Sequence, residues 1–204
     1  MQSYFKKWSV VLIILCVLIS GCGTATPKPP ISISIPSLKK NYPILIDEAQ
    51  KWNSDAYLAA VKINLYPNIR HDAINAKFYS HSENEHSVSV YLAWDGTISS
   101  EVFSYKNSVY HHEPIELDEL KIDSQEALEY IDDDIIRRKI NNESVLCSTI
   151  HLKRYLPRED DPLVWALSVS DCANFYDLLY IDPNTGKTLT FPKILPTRFP
   201  SKTP

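Results

Sequence analysis

The sequence predicts an α+β fold of two tandem units, each a helix packed on an antiparallel β-sheet. Three observations carry that expectation. The first is a pair of turn signals set between alternating apolar runs. Trp94-Asp95-Gly96-Thr97 joins the alternation of Val88, Val90 and Leu92 to Ile98 and Val102, and Asp182-Pro183-Asn184-Thr185-Gly186-Lys187 joins residues 178–181 to 188–190. Asp-Gly and Pro-Asn-x-Gly are the residues tight hairpins use, because glycine accepts a positive φ. The second is a helical stripe in each half. Leu45, Ala49 and Trp52 share a face in residues 43–52, and Ala127, Leu128, Ile131 and Ile135 share one after Asp123. The third is a β-prone run behind each helix, residues 57–66 and 145–155. These elements place the first unit at 42–112 and the second at 113–192.

In chain order, Lys6 and Lys7 precede an apolar run from Val10 to Ile19, which closes on Ile19-Ser20-Gly21-Cys22. That layout is a secretory signal peptide over residues 1–21. The run is far shorter than the roughly 20 residues a bilayer-spanning helix needs. The pattern resembles the lipobox of bacterial lipoproteins, which implies that Cys22 is acylated and becomes the mature N-terminus, held at the membrane by its acyl chains. Gly23 stands where many Gram-negative lipoproteins carry the aspartate associated with inner-membrane retention. A lipid-anchored position on the cell membrane or outer membrane, facing outside the cytoplasm, follows as the expected address.

Residues 22–41, with Pro27, Pro29, Pro30 and Pro36, are expected as a flexible tether. Within them Ile31, Ile33 and Ile35 alternate with serine, a pattern that suits a short edge strand. In the second unit, Asp123 with Glu126 three residues on forms a capping box that starts the helix. Residues 193–204, again proline-rich, are expected as a loosely ordered tail.

Loss of the signal peptide removes Lys6 and Lys7 and moves the net charge from −4 to −6. No basic run exceeds Arg137-Arg138-Lys139, so nucleic acid, which needs clustered cations, is not an expected partner. Asp132-Asp133-Asp134 reads as a solvated helix end. An exported chain meets oxidising conditions. Cys16 leaves with the signal and Cys22 is lipidated, so Cys147 and Cys172 remain as a disulfide pair. An antiparallel hairpin of residues 145–155 and 163–172, folded about the point between residues 159 and 160, would set them directly opposite each other.

The second half resembles a PepSY-type domain. Residues 122–128, Ile-Asp-Ser-Gln-Glu-Ala-Leu, are similar to that family's opening helix. Val164-Trp165-Ala166-Leu167-Ser168-Val169 is similar to its tryptophan strand, and residues 179–189, through Asp182-Pro183-Asn184-Thr185-Gly186-Lys187, to its closing hairpin. The first half looks like a degenerate copy, with Trp94-Asp95-Gly96-Thr97 in place of the Thr-Gly-Lys turn. The resemblance implies a small extracytoplasmic module that binds peptides or restrains proteases, without catalytic residues or cofactors.

The residues themselves point the same way. Gly21, Gly23, Gly96 and Gly186 all have local explanations, which leaves no glycine-rich loop for a phosphate and no glycine-flanked nucleophilic serine. Cys147 and His151 would lie about 13 Å apart on a strand, too far for a thiolate–imidazole pair. The competing reading is a metal-binding or sensing lipoprotein using His81, His86, His111 and His112 with Glu83, Glu85 and Glu113. Solvated loop histidines are the simpler account of these residues, and Pro114 breaks any helix after His112-Glu113. Tyr57, Tyr66, Tyr79, Tyr91, Tyr105, Tyr155 and Tyr180 fall on expected strands, where an exposed row would suit peptide binding by strand addition. Trp52, Trp94 and Trp165 read as core or hairpin-packing residues. The expected partners are the membrane, through the lipid anchor, and an envelope protein or peptide.

Overall fold

The computed structural model describes residues 30–67, 71–83, 85–104, 113–143, 145–154, 162–173 and 175–189. Its centre is one mixed-order antiparallel sheet of eight strands covered by helices, an α+β architecture. The strands are β1 (Ala56–Asn64), β2 (Asp72–Ser80), β3 (His86–Ala93), β4 (Ile98–Ser104), β5 (Thr149–Arg154), β6 (Leu163–Ser170), β7 (Phe175–Ile181) and β8 (Thr188–Leu189). Their spatial order is β4-β3-β2-β1-β5-β6-β7-β8. Each half therefore runs outward from the centre in chain order, and β1 pairs with β5 at the seam.

Alternation decides which face is buried. Val61 and Ile63 lie opposite Ala76 and Ile74 on β2 and opposite Leu152 and Ile150 on β5. The same side continues through Val90 and Leu92, and through Trp165 and Leu167, into one hydrophobic core. Trp165 is fully buried, and its indole Nε1 donates to the Ile122 carbonyl at 3.0 Å. A buried indole N–H needs such an acceptor, because leaving it unmade costs about 1–3 kcal/mol.

Helix α1 (Leu38–Trp52) covers the first half. It starts five residues earlier than the stripe suggested and tolerates Pro43 inside. Leu38, Leu45 and Ala49 are its buried residues and join the core. In the second half the expected single helix is two: α2 (Ser124–Glu129) and α3 (Asp134–Asn141). The break has a chemical cause. Asp133, from the acidic triplet, caps a new helix by accepting from the amides of Ile135 at 2.8 Å and Ile136 at 3.0 Å. Ile131 stays buried in the gap, whereas Ile135 turns outward and is 65% exposed. Arg137, 3% exposed, spans the break by donating to the carbonyls of Glu129 and Ile131, which the end of α2 leaves without helical partners.

The capping box is present: the Asp123 side chain accepts from the Glu126 backbone amide, and Asp123 N donates to Glu126 Oε2 at 2.8 Å. Asp123 also receives the start of α1, through Leu38 N at 3.0 Å and the Ser37 hydroxyl. Residues 30–37, the described part of the expected tether before α1, are extended and held against the second half. Gln125 bonds both Ile35 N and the Ile33 carbonyl, and Asn141 bonds Ser32 N and the Pro30 carbonyl. Ile31 and Ile35 are buried there. No strand pairs with this segment among the described residues, so alternation here produces a clasp across the helices rather than an edge strand.

The β5–β6 register is Thr149↔Ser168 and Ile150↔Leu167, two residues away from the one expected. Cys147 therefore lies before β5, where its amide bonds the Ser170 carbonyl. Cys172, past the end of β6, curls back with φ +76° to bring its sulfur to disulfide distance, with Cα atoms 4.9 Å apart. The two cysteines join strand ends instead of facing each other within the ladder.

Candidate functional site

Strand β4 is one edge of the sheet, and all of it beyond Ile98 is exposed. Its pairing with β3 is regular, without a bulge. The hydrogen bond from Ala93 N to Thr97 O sets the phase of the ladder. Antiparallel pairs alternate, so Ser99, Glu101 and Phe103 direct their backbone groups at β3, while Ile98, Ser100, Val102 and Ser104 direct theirs outward. Val102 is 50% exposed and Phe103 39%, one on each face of the strand. Natural edges are usually blunted by lysine, proline, a bulge or short length. β4 has one charged side chain, Glu101, but no lysine, proline or bulge, whereas the opposite edge, β8, is two residues long.

The second surface is the sheet face turned away from the helices. The buried side chains of all three helices belong to the core on the other side, so among the described residues no helix packs here. Cross-strand partners form rows. One reads Glu101, Ser89, Lys77, Ala60, Lys153, Val164, and the next Ser99, Tyr91, Asn75, Lys62, His151, Ala166, Tyr180. A bulge between Leu58 and Ala60 places two alanines in the middle of β1. At one end Tyr57 stacks on His81 at 4.5 Å and on Tyr79 at 6.3 Å, and Lys77 Nζ sits 5.2 Å from the Tyr79 ring centroid. The face is only partly open: Val164 and Ala166 at the β6 end are buried, as are Thr149 on β5, Tyr79 on β2 and Ser87 and Ser89 on β3.

His151 occupies the middle of this face. Its Nε2 is 2.8 Å from Thr149 Oγ1, and its pKa is pushed from 6.5 down to about 4, first by burial and then by Lys153 and Lys62. It is neutral at physiological pH. Two grooves complete the surface. One, of about 420 Å³, lies between α2 and the β7–β8 turn, lined by Lys121, Glu126, Glu129, Tyr130 and Thr185 among others. Its acids are already engaged: Glu126 in the capping box and Glu129 with Arg137 at 3.2 Å. The other, of about 250 Å³, is lined by His71, Asp72, Tyr91, Thr97 and Ser99.

The histidines of the metal reading do not converge where they are described. His81 is stacked on Tyr57, and His86 Nδ1 lies 3.4 Å from Glu83 Oε1. His111 and His112 lie outside the described residues, as does Cys22. Among the described residues no three His, Cys, Asp or Glu side chains are grouped to hold a metal ion. Among the tyrosines, Tyr57, Tyr79, Tyr91 and Tyr180 fall on strands, whereas Tyr66 lies past β1, buried, and donates its hydroxyl to the Ile140 carbonyl. Burial, with Glu143 nearby, raises its pKa to about 12. Tyr105 and Tyr155 are outside the described residues. No helix among those described is long and apolar enough to cross a membrane.

Sequence reasoning passed over Lys62, Lys77 and Lys153, and weighed His151 only as a partner for Cys147. Their signal was present as the polar half of the strand alternation, but which lysines become neighbours depends on the β1–β5 pairing. The chain matches no known family model, curated protein or solved structure.

Proposed function

We propose that the chain is a lipid-anchored extracytoplasmic lipoprotein, a non-catalytic module that binds an envelope protein or peptide. In this reading it is built from two PepSY-like units, α1 with β1–β4 and α2–α3 with β5–β8. The mirrored strand order supports the duplication, as do the closing turns at Gly96 and Gly186, both at positive φ. Restraint of an envelope protease fits the same geometry, since an extended segment in a protease cleft and one added to a sheet edge have the same backbone form. The observation that carries the reading is β4, a seven-residue edge with outward backbone groups and apolar side chains on both faces. Cys22 supplies the anchor that keeps the edge at the envelope.

In-cell photocrosslinking from position 100 tests this, with mass spectrometry of the captured species. Val102→Pro removes one outward N–H while sparing the β3 ladder, because its amide lies on the free side. One reproducible envelope partner is expected, lost in Val102→Pro and in the unanchored Cys22→Ala. Capture of the same species in undiminished yield from Val102→Pro would sink the edge reading, and persistent acyl labelling of Cys22→Ala would remove the anchor.

A further inference from the structure

We propose that the helix-free face over Ala60, between Lys77 and Lys153, is a docking surface for an acidic extended segment of a partner protein. The inference deepens the binding-module reading and rests on it. Lys77 and Lys153 both flank Ala60, one from β2 and one from β5. They are two strand spacings apart, roughly 10 Å. Among the described residues neither lies within ion-pair distance of a carboxylate, while the chain as a whole carries a net charge of −4. The only acid in their row is Glu101, at the far end on β4. A short side chain between two long cations leaves room for an extended backbone, and flexible lysine stems let both ammonium groups meet carboxylates at alternate positions, roughly 7 Å apart. Along this row Ala60, Lys77 and Lys153 are part exposed, whereas Ser89 on one side and Val164 on the other are buried and bound the surface.

The anchor argues for a polypeptide rather than anionic lipid. Pro30 is held by Asn141 of α3, within the helix layer on the opposite side of the sheet. The eight residues from Cys22 to Pro30 reach at most about 28 Å when fully extended. A chain held by acylated Cys22 would thus join its tether at Pro30, on the side of the sheet opposite the lysines.

The test uses the chain from residue 22 onward, made soluble by Cys22→Ala. Fluorescence anisotropy would follow a labelled alternating Thr-Glu octapeptide, its Thr-Gln counterpart, and competition by vesicles of phosphatidylcholine and phosphatidylglycerol in equal parts. Salt-sensitive binding of the Thr-Glu peptide alone is expected. It should weaken roughly tenfold in the double variant K77Q/K153Q, return in K77R/K153R, and be unchanged by Val102→Pro. No binding, equal binding of both peptides, or displacement by the vesicles that depends on these two lysines would overturn the inference. The photocrosslink at β4 reads out separately, so loss of one result leaves the other standing.

Discussion

The two halves of the sheet share an order but differ in how they are finished. The first has one helix of 15 residues over strands of 9, 9, 8 and 7, and ends in an open edge. The second has two short helices over strands of 6, 8, 7 and 2, and is closed by local devices. Those devices are the Asp123 capping box, the Arg137 clamp and the Cys147–Cys172 bond. Even the N-terminal clasp of residues 30–37 adds its hydrogen bonds to the second half. The contrast assigns stability to one side and accessibility to the other: the edge most suited to recruit a strand is farthest from the staple.

Breaking the staple should have the largest effect. The bond spans 25 residues, a loop for which constraint of the unfolded chain is worth about 3 kcal/mol. Paired Cys147→Ser and Cys172→Ser should lower stability by that order in urea melts. Hydrogen exchange should show the gain in opening concentrated in β5–β7, with β2–β4 little changed. A uniform rise across both halves would mean that the sheet responds as one cooperative unit and that the division is only topological.

His151 offers a smaller, pH-dependent break at the seam. Its folded pKa is about 4 against 6.5 unfolded, so between those values the unfolded chain binds the extra proton. Stability is therefore full above about pH 6.5 and declines as pH falls toward 4, by at most about 3 kcal/mol. Lys62 and Lys153 flank the ring from β1 and its own strand, and no carboxylate faces it from β6, where Ala166 stands opposite. Glu48, Asp55, Glu83 and Asp95, held below their ordinary values chiefly by hydrogen bonds, also give up stability as pH falls, but at the acid end of this range. His151→Gln should flatten the stability profile between neutrality and about pH 5, and an unchanged slope would place the sensitive proton elsewhere.

Local chemistry was legible in the sequence and long-range pairing was not. The capping box, the two turns and the identity of the cysteine pair follow from neighbouring residues. The β5–β6 register did not, because a shift by two residues keeps every side chain on its own face, and alternation cannot tell the alternatives apart. The helix break at Asp133 had a signal, an aspartate before Ile135 and Ile136, but the continuous apolar stripe obscured it. Nothing local announces that Gln125 and Asn141 will bind residues 30–35, or that β1 will choose β5. The lysine face follows from that last pairing, so it was hidden for the same reason.

The turn glycines give the finest comparison between the halves. Gly96 has φ +86°, and a Cβ there would meet nothing within 4 Å. Gly186 has φ +72°, but its Cβ would fall 2.2 Å from Tyr130 Cε1 and 2.3 Å from Cδ1. Both alanine substitutions carry the left-handed backbone penalty of about 1 kcal/mol. Only the second must also move an aromatic ring that packs the closing turn against the end of α2. Gly186→Ala should thus exceed Gly96→Ala by about 1 kcal/mol, and that excess should vanish when Tyr130→Ala is already present. Tyr130 is itself 42% exposed, so the ring has solvent to move into and the excess stays small. Equal costs for the two glycines would show that the ring yields freely, leaving the disulfide and the helix devices to close the second half.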